Sequence, residues 1–332
     1  LRRKAAASGL RAWYERYGMR AMEVANGIVR FTFELPLGID HVHCYALRAE
    51  SGGWTVVDTG LGVDDAAARW HAAGGQLDGA VERIVITHFH PDHVGAAAVL
   101  AELTGAPVFQ GREDYAQCVG AWGPERAADR LVAYMLEHGL PAEAADEMRR
   151  ESGTLARLVQ YARDPEPLVP GEQVDGWEIL HLPGHADGHL CLLRDGILIA
   201  GDALLATISP NVGLYAQSRP DPLGDYLSSL ARIVELAPKV AYGGHGPTME
   251  DPAGRARELI AHHDSRLGET TAAVDGDPRT AYEVSLRLFP GALPSVLRRF
   301  ALAESRAHLE YLVLRERIGR VTEGSTVAYV AG

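Results

Sequence analysis

Thr87-His88-Phe89-His90-Pro91-Asp92-His93 follows directly on Arg83-Ile84-Val85-Ile86. The run into it is short, β-branched and continuous, so it reads as a buried strand. Pro91 lacks the amide proton that a β-ladder needs, so by then the strand has ended and the chain is turning. Three histidines and an aspartate fall within the six positions 88–93. Neutral imidazoles and carboxylates are the donors a zinc-like cation takes. Packed this tightly at a strand end, they would be expensive to bury without one. The competing reading is a polar surface turn that happens to be rich in histidine.

The same local pattern recurs along the chain. Trp54-Thr55-Val56-Val57 runs into Asp58-Thr59-Gly60, and Glu178-Ile179-Leu180-His181-Leu182 into Pro183-Gly184-His185. Ile197-Leu198-Ile199-Ala200 runs into Gly201-Asp202, and Val240-Ala241-Tyr242 into Gly243-Gly244-His245. Glycine just before His185, Asp202 and His245 lets the backbone turn sharply and approach a ligand closely. Taken singly, His185 or His245 reads as a turn residue and Asp202 as a helix N-cap. Together they are candidates for one site, because ligands at several strand ends converge on one edge of a sheet sandwich.

Around these motifs the chain reads as strands at 28–33, 44–47 and 54–57, a helix at 64–73, the strand before His88, a helix at 95–103 and a strand at 106–109. Residues 112–163 are rich in Ala, Glu, Arg, Met and Leu at helical spacing, which predicts an insertion of two or three helices. Asp164 to Gly171 reads as a Pro-rich connector. Strands return at 178–182, 190–193, 197–200 and 240–242, with a helix at 224–236. After Pro252 the pattern is mainly helical and closes in a hairpin at Glu323-Gly324. The domains expected are a tail at 1–21, a catalytic domain at 22–254 and a C-terminal winged-helix-like unit at 255–332.

The 332 residues are 47% hydrophobic and 23% charged, as in a globular protein with a large core. No apolar run approaches the roughly 20 residues needed to span a bilayer, so no membrane partner is expected. Residues 1–18 mix Arg2, Arg3 and Lys4 with Trp13, Tyr14 and Tyr17. They show no apolar signal-peptide core and read as an appended remnant, an alternative start or a loose tail. Cys44, Cys118 and Cys191 form neither a disulfide framework nor a Cys-rich zinc module, so a cytoplasmic location is expected. A net charge of −12 disfavours generic nucleic-acid binding. Residues 255–332 are close to neutral, which suits packing against the catalytic domain or homodimerisation better than DNA reading.

His88-x-His90-x-Asp92-His93, His185, Asp202 and His245 resemble the ligand set of the metallo-β-lactamase superfamily, and Asp58 matches that family's first motif. The resemblance covers about residues 22–250. From Arg255 on, the chain is similar to the winged-helix extension of the lactamase-β-like protein 2 type and its bacterial relatives, which are described as metallo-hydrolases. The resemblance implies an α/β fold, an αβ/βα sandwich with metals at one edge. It implies a first metal on His88, His90 and His185, a second on Asp92, His93 and His245, and Asp202 bridging two divalent ions, zinc or else iron or manganese. Asp58 would then orient a ligand imidazole, unless it is simply a turn-former before Gly60. Asp at position 202, where the main dizinc β-lactamases carry Cys, resembles the glyoxalase II-like and nuclease-like branches.

That ligand set implies hydrolysis of a small-molecule thioester or ester by a metal-bridging hydroxide, with Asp92 and Asp202 as catalytic candidates that orient it. The alternatives are a phosphodiesterase or RNA endonuclease, which suits the same two-metal clamp, and a non-catalytic winged-helix protein that senses a ligand. His43, Ser209 and Asn211 are candidates for the substrate pocket, His43 from its place on a strand face and the other two from a polar loop after Asp202. A glutathione-binding set does not map onto residues 250–332.

Overall fold

The computed structural model of the chain describes residues 19–36, 39–123 and 127–332. The expectations for residues 1–18 lie outside them. Two mixed sheets form the centre. The first runs in sequence order through β1 (Met19–Ala25), β2 (Ile28–Glu34), β3 (His41–Arg48), β4 (Trp54–Val57), β5 (Val81–Ile86), β6 (Val108–Gly111) and β7 (Glu166–Leu168). Its pairings are antiparallel up to β4 and parallel from β4 to β7. The second contains β8 (Gln173–Val174), β9 (Trp177–His181), β10 (Leu190–Arg194), β11 (Ile197–Gly201) and β12 (Val240–Gly243), in the order β12-β11-β10-β9-β8. There only β11 and β12 run parallel.

Alternation along the strands sorts the apolar side chains into layers. Tyr45, Leu47, Val57 and Val85 face Trp177, Ile179, Leu190, Leu192, Ile199 and Tyr242 between the sheets. The intervening residues Cys44, Val56, Ile84 and Ile86 face outward, where they meet Trp70 and Leu100. These two belong to α1 (Ala66–Gly74) and α3 (Ala97–Thr104); a single turn, α2 (Pro91–Val94), precedes α3. A strand buried on both faces needs a continuous apolar run, which is why Ile84-Val85-Ile86 shows no alternation.

Helices α4 (Arg112–Trp122), α5 (Ala127–Glu137) and α6 (Ala145–Ala156) lie between β6 and β7 in the chain. The outer face of the second sheet is covered by α7 (Pro222–Leu236) and α8 (Pro252–Ala273), which bring Tyr226, Leu230 and Leu259 onto Leu180, Cys191, Leu198 and Ala241. Both helices start alike. Asp221 and Asp251 accept hydrogen bonds from the amides of Gly224 and Gly254, and Pro222 and Pro252 take the first helical position. After them come β13 (Arg279–Thr280), α9 (Ala281–Leu288), α10 (Ser295–Val313), β14 (Ile318–Glu323) and β15 (Thr326–Ala331). The last three strands form a separate sheet in the order β13-β15-β14.

Three details differ from the reading of the sequence. The expected tail at 1–21 overruns a strand, because Met19 to Ala21 pair with Phe33 to Phe31 at the sheet edge. The connector at 164–171 contains β7, a short edge strand that tolerates Pro167 because nothing pairs beyond it. The helix expected at 95–103 is α3, at 97–104, and a separate turn that the reading did not include, α2, precedes it from Pro91. The 254/255 boundary falls in the first turn of α8. No helix among the described residues is long and apolar enough to cross a membrane.

Candidate metal centre

Asp58, His88 to His93, His185, Asp202 and His245 all lie just past the C-terminal ends of strands, and the two sheets bring those ends to one edge. Three groups of side chains there have ligand atoms within 4.8 Å of one another: His88/His90/His185, Asp92/His93/His245, and His88/His93/Asp202. The structure thus gathers all seven expected ligands. His90 Nδ1 is 2.8 Å from His185 Nε2. His245 Nε2 lies 3.3 Å from Asp92 Oδ2 and 3.2 Å from Asp202 Oδ2. Asp202 also approaches His93 Nε2 at 3.5 Å and His185 Nε2 at 3.7 Å, so it stands between both histidine sets.

Four of the five imidazoles are aimed from behind. His93 Nδ1 is 2.8 Å from Asp58 Oδ2. Thr87 donates its hydroxyl to Asp58, so its oxygen accepts from His88 Nδ1 at 3.0 Å. His185 Nδ1 donates to the Asn211 carbonyl at 2.7 Å and His245 Nδ1 to the His41 carbonyl at 2.6 Å. A carbonyl only accepts, so in each case Nε2 keeps its lone pair for the cluster. Asp58 manages its double role at φ 61°, a left-handed conformation that Asp tolerates better than most residues. Gly244 is required for a different reason. A Cβ there would collide with Asp202 Oδ1 and the His93 ring.

The electrostatics fit a cation. Buried and without hydrogen-bond partners are His88 Nε2, His93 Nε2, His245 Nε2 and Asp202 Oδ1. Leaving such a group unsatisfied costs about 1–3 kcal/mol, and four in one place are hard to explain except by a ligand that accepts lone pairs. Burial, then the neighbouring imidazoles, hold His88 and His90 well below the ordinary histidine range, so both are neutral donors. Burial alone would push Asp202 up, but His245 and His93 hold it well below the usual carboxylate range. Asp92 is likewise held at about 2 against its burial, chiefly by His93. Burial also lowers His93 and His245, but the carboxylates, Asp202 first, outweigh it and raise both, His245 to about 10. Divalent cations would take the place of such protons.

Further side chains at the site were not singled out in the sequence. His189 stacks on His88 and accepts the Asp202 amide proton at 3.1 Å. Asp114, fully buried at the start of α4, accepts the Phe89 amide at 2.9 Å and so fixes the loop between His88 and His90; burial pushes its carboxyl up to about 8. Asp114 lies three residues past Gly111 inside a helix, and His189 follows Gly188 but precedes a strand, so neither has the place directly after a strand and its glycine that marks His185, Asp202 and His245. The pocket candidates fare differently. His43 is buried with both nitrogens engaged, Nε2 on the Gly246 carbonyl at 2.9 Å and Nδ1 on Thr32 Oγ1 at 3.0 Å. It props the loop of His245 and offers no free nitrogen to a substrate. Asn211 turns its amide to α10, donating to Glu304 at 2.7 Å. Ser209 is half-buried and its hydroxyl reaches only the Pro210 carbonyl, at 3.4 Å.

This sandwich, with its His/Asp cluster at the edge, belongs to the metallo-beta-lactamase superfamily, whose family pattern matches residues 37–245. A second pattern, described as metallo-beta-lactamase-like, C-terminal domain, matches residues 267–329. Among similar proteins is the probable metallo-hydrolase YqjP of Bacillus subtilis, 26% identical over 316 residues, 91% of this chain and 97% of that one. The metallo-beta-lactamase family protein TTHA1429 of Thermus thermophilus is 38% identical, with a TM-score of 0.81 over 93% of this chain and 100% of the other. A beta-lactamase domain protein of Burkholderia ambifaria is 29% identical, with a TM-score of 0.84 over 94% of each chain. The chain is a metallo-hydrolase, and its His/Asp clusters fit divalent metal ions.

Proposed function

We propose that the centre holds two divalent cations of the zinc class and hydrolyses a small thioester or ester. The observation that carries this reading is the position of Asp202, a single ionised carboxylate within 3.7 Å of ligand atoms from both histidine sets. His88, His90 and His185 would hold one cation, Asp92, His93 and His245 the other, and Asp202 both. When bound, such a pair acidifies water toward neutral pH and polarises a carbonyl oxygen. The protein's own contribution is to aim the donors. Asp58 holds His93 directly and His88 through Thr87, and the carbonyls of Asn211 and His41 hold His185 and His245. Asp92 and Asp202 supply ionised oxygens that orient the attacking water.

An aspartate rather than a cysteine at position 202 supports a glyoxalase II-like ligand set. Helices α8 to α10 with the β13-β15-β14 sheet support a winged-helix unit, here serving to pack against the catalytic domain. The net charge of −12 weighs against a polyanionic substrate. Metal analysis combined with a screen of thioester, lactone, lactam and phosphodiester substrates tests the reading. Asp202→Ala is expected to lose one metal equivalent and about 10³-fold in kcat/KM, roughly 4 kcal/mol of transition-state stabilisation. Full activity in that variant, or preferred turnover of phosphodiesters, overturns it.

A further inference from the structure

We propose that the C-terminal part of the chain belongs to the metal centre, because Glu304 on α10 positions the carbonyl that aims His185. This rests on His185 being a ligand. The carbonyl in question is that of Asn211, which accepts from His185 Nδ1 at 2.7 Å. Asn211 sits in a stretch, residues 202–221, that contains neither helix nor strand. No β-ladder or helical turn therefore fixes the direction of its carbonyl.

The side chain of Asn211 fixes it instead. Its Nδ2 donates to Glu304 Oε2 at 2.7 Å and approaches the Phe300 carbonyl at 3.4 Å. Three residues on, the Leu214 amide donates to the Ala303 carbonyl at 3.0 Å, and Tyr134 of α5 donates its hydroxyl to the Leu214 carbonyl at 2.7 Å. The loop behind His185 is thus fastened to α10 at two levels. Burial pushes the Glu304 carboxyl up to about 7, a strained setting for an acid whose hydrogen-bond partner is a neutral amide. What Asn211 requires of position 304 is an acceptor oxygen at that place, which glutamine also supplies.

Glu304 is therefore a positioning residue that acts through Asn211 on one half of the centre. Zinc affinity is measured on the full chain by chelator competition, in a His245→Ala background that leaves the three-histidine set. His185→Ala and Glu304→Ala are both expected to bind more weakly, Glu304→Ala by about 10–100-fold, the usual effect of losing an outer partner of a ligand. Glu304→Gln is expected to bind like its parent. Asn211→Ala, which cuts the same tie from the other side, is expected to match Glu304→Ala and serves in its place if that variant does not fold. Glu310→Gln, which loosens α10 elsewhere, is expected to change nothing. Undiminished affinity in Glu304→Ala or in Asn211→Ala, with His185→Ala weakened, overturns the proposal and leaves His185 a ligand. An equal loss in Glu310→Gln overturns it too, since α10 would then act only as bulk support. Undiminished affinity in His185→Ala removes the ligand reading itself.

Discussion

Two buried carboxylates, Asp202 at the sheet edge and Glu310 on α10, show what separates a site from a strut. Both are nine-tenths buried or more. Glu310 is fully provided for within the fold. Arg320 donates to both of its oxygens at 3.1 Å, and Tyr329 donates its hydroxyl at 2.7 Å. Asp202 lies among imidazole nitrogens with its Oδ1 unpaired, and three of the surrounding Nε2 atoms are unpaired as well. Burial is equal in the two places; saturation of the hydrogen bonds is not. A buried charge whose partners are all internal holds a fold together, whereas one left short of partners is waiting for something from outside.

The sharpest way to break this contrast is Glu310→Ala. It is expected to lower unfolding stability by about 2 kcal/mol, because the buried Tyr329 hydroxyl is left without its acceptor while the half-exposed Arg320 recovers water. Metal content should be unchanged, as read by denaturant melts beside elemental analysis. A variant that melts normally but loses metal would erase the distinction. Asp58→Asn, which tolerates φ 61° and keeps an oxygen for the Thr87 amide, is the opposite case. It should weaken metal binding by about 10–100-fold, since His93 and, through Thr87, His88 lose their orientation. The metal-free form should melt close to the parent, and a large loss of stability in that form would make Asp58 a strut as well.

The smallest expected effect is one of pH. His263 and His308 are buried against each other at 3.2 Å, and His308 Nδ1 donates to the Glu304 carbonyl. Burial lowers His263 to about 3 and His308 to about 4. The unfolded chain therefore takes up protons first. The pair's contribution is complete above pH 6.5 and falls away as pH drops toward 4, at up to about 1.4 kcal/mol per pH unit for each imidazole. Glu304, raised to about 7, has the opposite sign, and its contribution is complete below 4.5 and fades as pH rises through 7. Melting temperatures from pH 4 to 8, on metal-free protein, should show a shallower acid limb in His308→Gln than in the parent. Superimposable curves would mean that the pair carries no such linkage.

Much of this was legible in the sequence because the ligands obey a local rule. They follow short apolar strands, with glycine directly before His185, Asp202 and His245 and Pro91 among the others, and strand ends meet by construction in a sandwich. The layers were not legible in that way, since Cys44 and Tyr45, or Ile84 and Val85, are apolar on both faces and no polarity pattern says which one meets the other sheet. What could not be read was tertiary bonding. His43 has the spacing of a cleft residue, but its two nitrogens are taken by Thr32 and by Gly246, 203 positions away. Asn211 owes its orientation to a residue 93 positions downstream. Asp114 looks like an ordinary first-turn helix acid, and only folding places it under Phe89. Residues 166–168 read as connector because an edge strand so short, with a proline in it, has no period to detect.

The donors come from both sheets. His88, His90, Asp92 and His93 follow β5 in the first, while His185, Asp202 and His245 follow β9, β11 and β12 in the second. On the proposed reading, metal bound there would tie the two halves of the molecule together at that edge. Metal that binds only the closed sandwich would hold that edge shut, so the protein's lifetime would follow the free-ion level of its surroundings.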